Sequence, residues 1–225
     1  MFSRAPAGMT APVVRVEVHL GCGLPIFALV GLPEAVVRES KQRVRAAIET
    51  AGYKFPQARI TVNLSPADLP KEGGRFDLPI AVGILAAAKH IRADALLKRE
   101  FYGELALDGE LRETPKLLPA LIAGARHGRE MVLPLANALE AGMVSEACVL
   151  LAGNLGEVVA ALRCSPARRA ASAATFSFAP APVSAHASAA VPAAAAPDLA
   201  DVRGQYLGKR ALEIAAAGEH GLLNL

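Results

Sequence analysis

The chain has 225 residues, with 53% hydrophobic and 20% charged, enough apolar material for one or two folded domains once an alanine-biased stretch is discounted. A formal net charge of +3 is too small to argue for nucleic-acid binding by itself. Cys22, Cys148, Cys164 and five histidines are scattered, which excludes a disulfide framework and a metal-ligand cluster; with no signal-peptide core and no apolar run long enough for a bilayer, a cytoplasmic protein is expected.

Val13 to Leu20 alternates, with Val14, Val16, Val18 and Leu20 on one face and Arg15, Glu17 and His19 on the other, the pattern of a half-buried strand. Gly21-Cys22-Gly23 supplies a turn into a more apolar strand from Pro25 to Val30, and the pair reads as a hairpin. Pro33 then opens a helix at the first-turn position, where its missing N–H costs nothing. Val37, Val44, Ala47, Ile48 and Ala51 recur at helical spacing, and Gly52 stands where a C-terminal cap belongs. The charged remainder of this helix predicts a wet outer face, on which Arg38, Lys41, Arg43 and Arg45 are candidate contacts to DNA or a partner.

Arg59 to Leu64 is a third strand, followed by a polar loop from Ser65 to Phe76. Asp77 is placed to cap a helix from Leu78 to about His90 that is apolar nearly all round and therefore buried. Asp108-Gly109, between Phe101–Leu107 and Glu110–Arg112, is a strong short hairpin signal. Lys116 to His127 reads as a helix ended by Gly128, after which Met131–Pro134, Ala136–Met143, Cys148–Ala152 and Leu155–Arg163 alternate strand and helix. From Ser165 to Pro197 the chain is rich in Ala, Pro and Ser without periodicity and reads as a disordered linker, its Phe176 and Phe178 not expected to dock. Order is expected again from Asp198, with a helix over Lys209–Ala217 and the start of a strand at Gly221–Leu225. The elements predict a mixed-sheet α/β (α+β) domain over residues 1–164, a linker over 165–197, and the first piece of a further module over 198–225.

The loop PADLPKEGGRFDLP holds the best site signal. Gly73 and Gly74 permit unusual backbone angles, and amides there could face an anion at the start of the next helix. The loop lacks the Gly-Lys-Ser/Thr of a phosphate loop, and Asp68, Glu72 and Asp77 oppose a phosphate. The bland alternative is a structural loop buttressed by an ion pair of Lys71 or Arg75. A serine–lysine dyad of Ser65 with Lys71 or Lys116 would need a desolvated lysine within reach of the hydroxyl, and nothing in the sequence forces that. Glu104 and Asp108 fit solvated positions better than acid–base roles, and no metal-ligand spacing occurs.

VEVHLGCGLPIFALVGLPEAVVRESKQRVRAAI, ITVNLSPADLPKEGGRFDLPIAVGILAA and FYGELALDGELR resemble the N-terminal domain of magnesium-chelatase-like AAA+ proteins of the ComM/YifB type, and DVRGQYLGKRALEIAAAGEHGLLNL resembles the start of that family's AAA+ module. The resemblance covers all but the linker. It implies a Lon-protease/ribosomal-protein-like fold for the N-terminal domain, and a bacterial cytoplasmic ATPase that forms hexameric rings and drives DNA branch migration in natural transformation. ATP and Mg²⁺ are implied for the full-length protein and no cofactor for this chain. The implied partners are its own AAA+ module, neighbouring protomers, and single-stranded or branched DNA, with no membrane. Pro70-Lys71-Glu72-Gly73-Gly74-Arg75 follows the frame that holds the catalytic serine of Lon-type peptidases, with Arg75 in the serine's place and Leu118, two residues from Lys116, in the lysine's. The resemblance therefore implies a non-catalytic interaction and assembly domain, in which Lys71 and Arg75 join the candidate contacts. The alternatives are a residual Lon-like serine peptidase and a purely structural oligomerisation module. Val202, Gly204 and Gln205 match the segment beside the adenine of ATP. The sequence stops before the glycine-rich Lys-Thr/Ser loop, so the chain alone is not expected to hold or hydrolyse ATP.

Overall fold

Valine alternation does make β2 (Val13–Gly21), and its inward residues Val14 and Val16 are almost fully buried. The computed structural model describes residues 1–31, 35–164, 179–180 and 203–218, except the side chains of 35–38 and 179–180. Pro33, Phe176, Phe178, Val202, the expected strand at 221–225 and nearly all of the expected linker lie outside these residues, as do the side chains of Val37 and Arg38. Two compact units divide the chain, Met1–Ser184 and Ala185–Leu225.

The first unit is built on a mixed sheet. Its strands are β1 (Phe2–Arg4), β2, β3 (Ile26–Val30), β4 (Arg59–Ser65), β5 (Arg99–Phe101), β8 (Glu130–Pro134) and β9 (Cys148–Ala152). The order is β9-β8-β5-β1-β2-β4-β3, and the short β10 (Ala179–Pro180), inside the stretch read as a linker, pairs with Val149 and Cys148 at the edge. The hairpin expected of β2 and β3 does not form. β4 lies between them, antiparallel to β2 over Arg15–Gly21 and parallel to β3 over Ile26–Val30. A central β4 uses both of its backbone edges and turns Ile60, Val62 and Leu64 to the core. The connection Cys22–Pro25 steps across β4's end, a distance of about 10 Å for two strand spacings.

One face of the sheet is covered by α1 (Ala35–Thr50), α2 (Asp77–Ala87) and α5 (Leu155–Arg163), with Val44, Ile48, Leu78, Ile84, Val158 and Leu162 meeting Val16, Val62, Phe101 and Leu150. Among the described residues the other face is covered over β5, β8 and β9. There α3 (Leu118–Arg126) and α4 (Ala138–Gly142) pack on Tyr102, Met131, Leu133 and Val149. Over β2 the outer face is open, and Arg15, Glu17 and His19 are exposed.

Helix α2 is buried at every position from Asp77 to Leu85, as its unbroken apolar run requires. Each large aliphatic side chain there contributes roughly 1.5–3 kcal/mol by leaving water. The Asp108–Gly109 turn joins a separate small ribbon of β6 (Glu104–Leu105) and β7 (Leu111–Arg112), while Phe101 belongs to the main sheet. In the second unit, α6 (Tyr206–Ala217) follows Gln205, whose φ of +53° is left-handed, and none of its residues is buried. Among the described residues no helix is long and apolar enough to cross a membrane.

Candidate functional site

The polar loop after β4 is not a surface loop in its basic residues. Lys71 is fully buried, and its ammonium donates to the carbonyls of Gly31 (2.7 Å) and Pro66. Those carbonyls tie the loop to the end of β3. Gly31 has a φ of +100°, and a Cβ there would run into the backbone carbonyl of Leu64, so only glycine seats the Lys71 acceptor this close to β4. Burial lowers the Lys71 pKa, and Asp68 partly offsets it.

Gly73 and Gly74 have separate causes. Gly73 has φ 71° and ψ −179°, a region essentially reserved for glycine. At Gly74 a Cβ would meet the Glu104 carboxylate. The turn they make sends Arg75 inward, where it is 5% exposed and its Nη2 donates to Pro115 O at 2.6 Å. Burial lowers the Arg75 pKa, against the raising influence of Tyr102, Glu72 and Glu140. The expected ion-pair buttress is replaced: among the described residues Lys71 and Arg75 are held by backbone carbonyls, with no carboxylate within ion-pair distance.

Asp77 does not cap α2. It is the helix's first residue, and its carboxylate turns sideways to accept from Arg43 Nε (2.7 Å), Arg43 Nη2 (3.2 Å) and Leu105 N (3.3 Å). A bidentate guanidinium is a stronger partner than a cap amide. Burial raises the Asp77 pKa from 3.8 to about 6, outweighing the opposing pull of Arg43. The unfolded chain therefore ionises first as pH rises. Below about pH 4 both states hold the proton; from there to about pH 6 only the folded state does, so folded-state stability falls across that window and the loss persists above it. The shift corresponds to about 3 kcal/mol. Asp77→Asn is expected to flatten this dependence between urea midpoints at pH 4 and pH 7; an unchanged slope in the variant would assign it to other groups.

Opposite Arg75 runs the strap Glu113–Lys116, fixed from behind. Asn137 Oδ1 accepts from Thr114 N and its Nδ2 donates to Thr114 O, both at 2.9 Å. Glu140 Oε1 accepts from Leu117 N and Leu118 N at 3.3 Å each, at the start of α3. Lys116 takes a left-handed φ of 56°. Between strap and loop is a cavity of about 190 Å³, lined by Gly73, Gly74, Arg75, Thr114, Pro115 and Lys116, with Glu72, Glu104 and Glu113 also contributing. Behind it Tyr102, fully buried, donates to Glu100, which also holds Arg4 Nε at 2.9 Å. Burial, then the neighbouring Glu100, hold the Tyr102 phenol well above its ordinary range.

The candidate contacts thus divide. Lys71 and Arg75 are not available as surface contacts, because a glycine-bearing loop that reads as polar folds its cations inward. Arg43 is committed to Asp77 with a side chain only 19% exposed. Lys41 is half-buried with Nζ 6.0 Å from the centre of the Phe27 ring, while Arg45 is exposed beside Glu49 and over Phe55. Ser65 is half-buried at the end of β4, and the ammonium of Lys71 is occupied by carbonyls, not by that hydroxyl. Glu104 is half-buried 3.8 Å from Arg112, and Asp108 is exposed, accepting from Glu110 N. Gly204 and Gln205 form an exposed left-handed turn just before α6. Sequence reasoning missed Asn137, Glu140 and the Arg4–Glu100 pair. No local signal marked Glu100, which follows Lys98 and Arg99 in a charged triplet.

A family model described as subunit ChlI of Mg-chelatase matches residues 16–137, and one for magnesium chelatase, subunit ChlI, matches residues 198–225. The chain is 46% identical over its whole length to the competence protein ComM of Haemophilus influenzae, of which it covers 42%. It is 45% identical to the uncharacterized protein YifB of Salmonella typhimurium and 43% to that of Escherichia coli, over 99% of the chain and 41% of each relative. It thus spans less than half the length of these curated relatives. The loop and strap lie within the first matched segment, and the chain belongs to the ComM/YifB-type family of magnesium-chelatase-like proteins.

Proposed function

We propose that residues 1–164 serve as a non-catalytic interaction and assembly domain of an ATP-driven DNA motor that carries out branch migration during natural transformation. The observation that carries this reading is the similarity, over the whole chain, to a relative named a competence protein. Two features of the site support the non-catalytic part. A nucleophile needs a base within hydrogen-bond reach, and Thr114 Oγ1, a hydroxyl of the cavity lining, has no hydrogen-bond partner among the described residues. Lys71, the desolvated amine, is held by carbonyls. ATP and Mg²⁺ are then used by the AAA+ module of a hexameric ring, of which residues 198–225 are the opening segment.

Surface cations for DNA are Arg45 and Lys41 on α1 and Arg15 on the open sheet face. Fluorescence anisotropy with single-stranded and forked DNA across a salt series tests the reading. Binding is expected to weaken as salt rises, and Lys41→Glu with Arg45→Glu is expected to lower the log–log salt slope for single strands by roughly 1.4, about 0.7 per lost phosphate contact. An unchanged slope and affinity in that variant would remove α1 from the interface. Self-association by light scattering without DNA binding at any salt would leave a purely structural assembly module.

A further inference from the structure

The cavity between the Gly73–Arg75 turn and the Glu113–Lys116 strap contains more recognition chemistry than the fold uses. Two of its lining residues each leave a buried polar atom without a partner among the described residues: Arg75 Nη1 and Thr114 Oγ1. A buried unsatisfied donor costs about 1–3 kcal/mol, and two at one cavity mark a place where something else completes the set. The walls are fixed in advance. Asn137 holds both backbone groups of Thr114, Glu140 holds the amides of Leu117 and Leu118, and Arg75 is pinned to Pro115 by its other nitrogen.

The charges at this cavity are of both signs. Arg75 and Lys116 supply donors, while Glu72, Glu104 and Glu113 supply carboxylates. A polyphosphate would face three like charges, and a volume of about 190 Å³ is below the usual range of pockets for larger ligands, roughly 300–1,000 Å³. A simple cation would leave the guanidinium unanswered, and a simple anion would leave the carboxylates so. We propose that this cavity binds a small zwitterion of the α-amino-acid class, its carboxylate taken by Arg75 and Thr114 and its ammonium by the rim carboxylates. The inference is independent of any DNA role.

The test is an amide-resolved NMR titration of the full chain with L-alanine, and separately with propionate, ethylammonium and inorganic phosphate. L-Alanine is expected to shift the amides of Gly73, Gly74, Thr114 and Lys116, and to bind at least tenfold more tightly than either half-molecule. Thr114→Val keeps the shape of the side chain and removes a hydroxyl that has no partner among the described residues. It is expected to leave the thermal midpoint unchanged or higher while weakening alanine about tenfold; a merely structural Thr114 would not separate these two readouts. Arg75→Gln is expected to abolish binding. Failure of all four probes to move those amides would overturn the proposal and leave water as the occupant. Propionate or phosphate binding as tightly as alanine would overturn the zwitterion assignment.

Discussion

Replacing Glu100 by alanine is expected to destabilise the first unit by roughly 3–5 kcal/mol, the usual result of removing one partner from a buried ion pair. Glu100 is fully buried and gathers three groups. Arg4, itself 2% exposed, donates to it through Nε and Nη2; Arg129 stands 3.5 Å from Oε1; and Tyr102 donates its hydroxyl. Without the carboxylate the buried Arg4 guanidinium faces that of Arg129, itself 20% exposed, with no anion between them. Among the described residues Arg4 keeps the carbonyls of Ala11 and Ala123 and a contact to His127. The phenol of Tyr102 also loses its acceptor. Glu100→Gln keeps the shape and one acceptor oxygen and is expected to cost less than the alanine variant, because hydrogen bonds survive while the charge does not. Urea unfolding at constant m-value measures both. A loss under about 1 kcal/mol in Glu100→Ala would mean that water enters the site and solvates both arginines.

This pair also shows what the sequence could and could not disclose. The strands were legible because alternation is a local signal: Ile60, Val62 and Leu64 point inward as their spacing requires, and β9 and α5 fall on the expected residues. The all-round burial of α2 followed from an apolar run with no wet face, although the helix ends at Ala87, short of the expected His90. Pairing was not legible. β2 and β3 are neighbours in sequence with a glycine turn between them, yet β4, 28 residues beyond β3, takes the place beside both. Strand order depends on which edges gain partners across the whole sheet, and no short window contains that. The same holds for the site. Lys71 and Arg75 stand in a stretch of Pro, Gly and acids that reads as solvated, and what draws them inward are carbonyls 40 residues away, Gly31 O and Pro115 O. Asp77 sat at a cap position by local rule, but Arg43, 34 residues earlier, claims its carboxylate.

Lys71→Ala is expected to cost roughly 3–5 kcal/mol, close to the full cost of truncating a large core side chain. The lysine stem is buried with its ammonium, so the variant leaves a void as well as two carbonyls, Gly31 O and Pro66 O, without their donor. Charge-assisted hydrogen bonds contribute about 1.5–3 kcal/mol each in such sites, less the cost of stripping water from the ammonium. Lys71→Met separates the two contributions. Methionine fills nearly the same space without a donor, so its loss, expected at about 1–3 kcal/mol, reports the ammonium alone. The desolvation that lowers the Lys71 pKa makes this a real contest. If burial of the charge outweighs its two hydrogen bonds, Lys71→Met will be as stable as the parent or more so. That outcome would make the ammonium a feature retained at the expense of stability, and therefore one tied to the work of the loop. Paired urea titrations of the two variants decide it, and amide exchange at Gly31 and Lys71 reports whether the loop has come away from the end of β3. Release of the loop in Lys71→Met, with the rest of the sheet still protected, would show that the ammonium alone holds the two elements together.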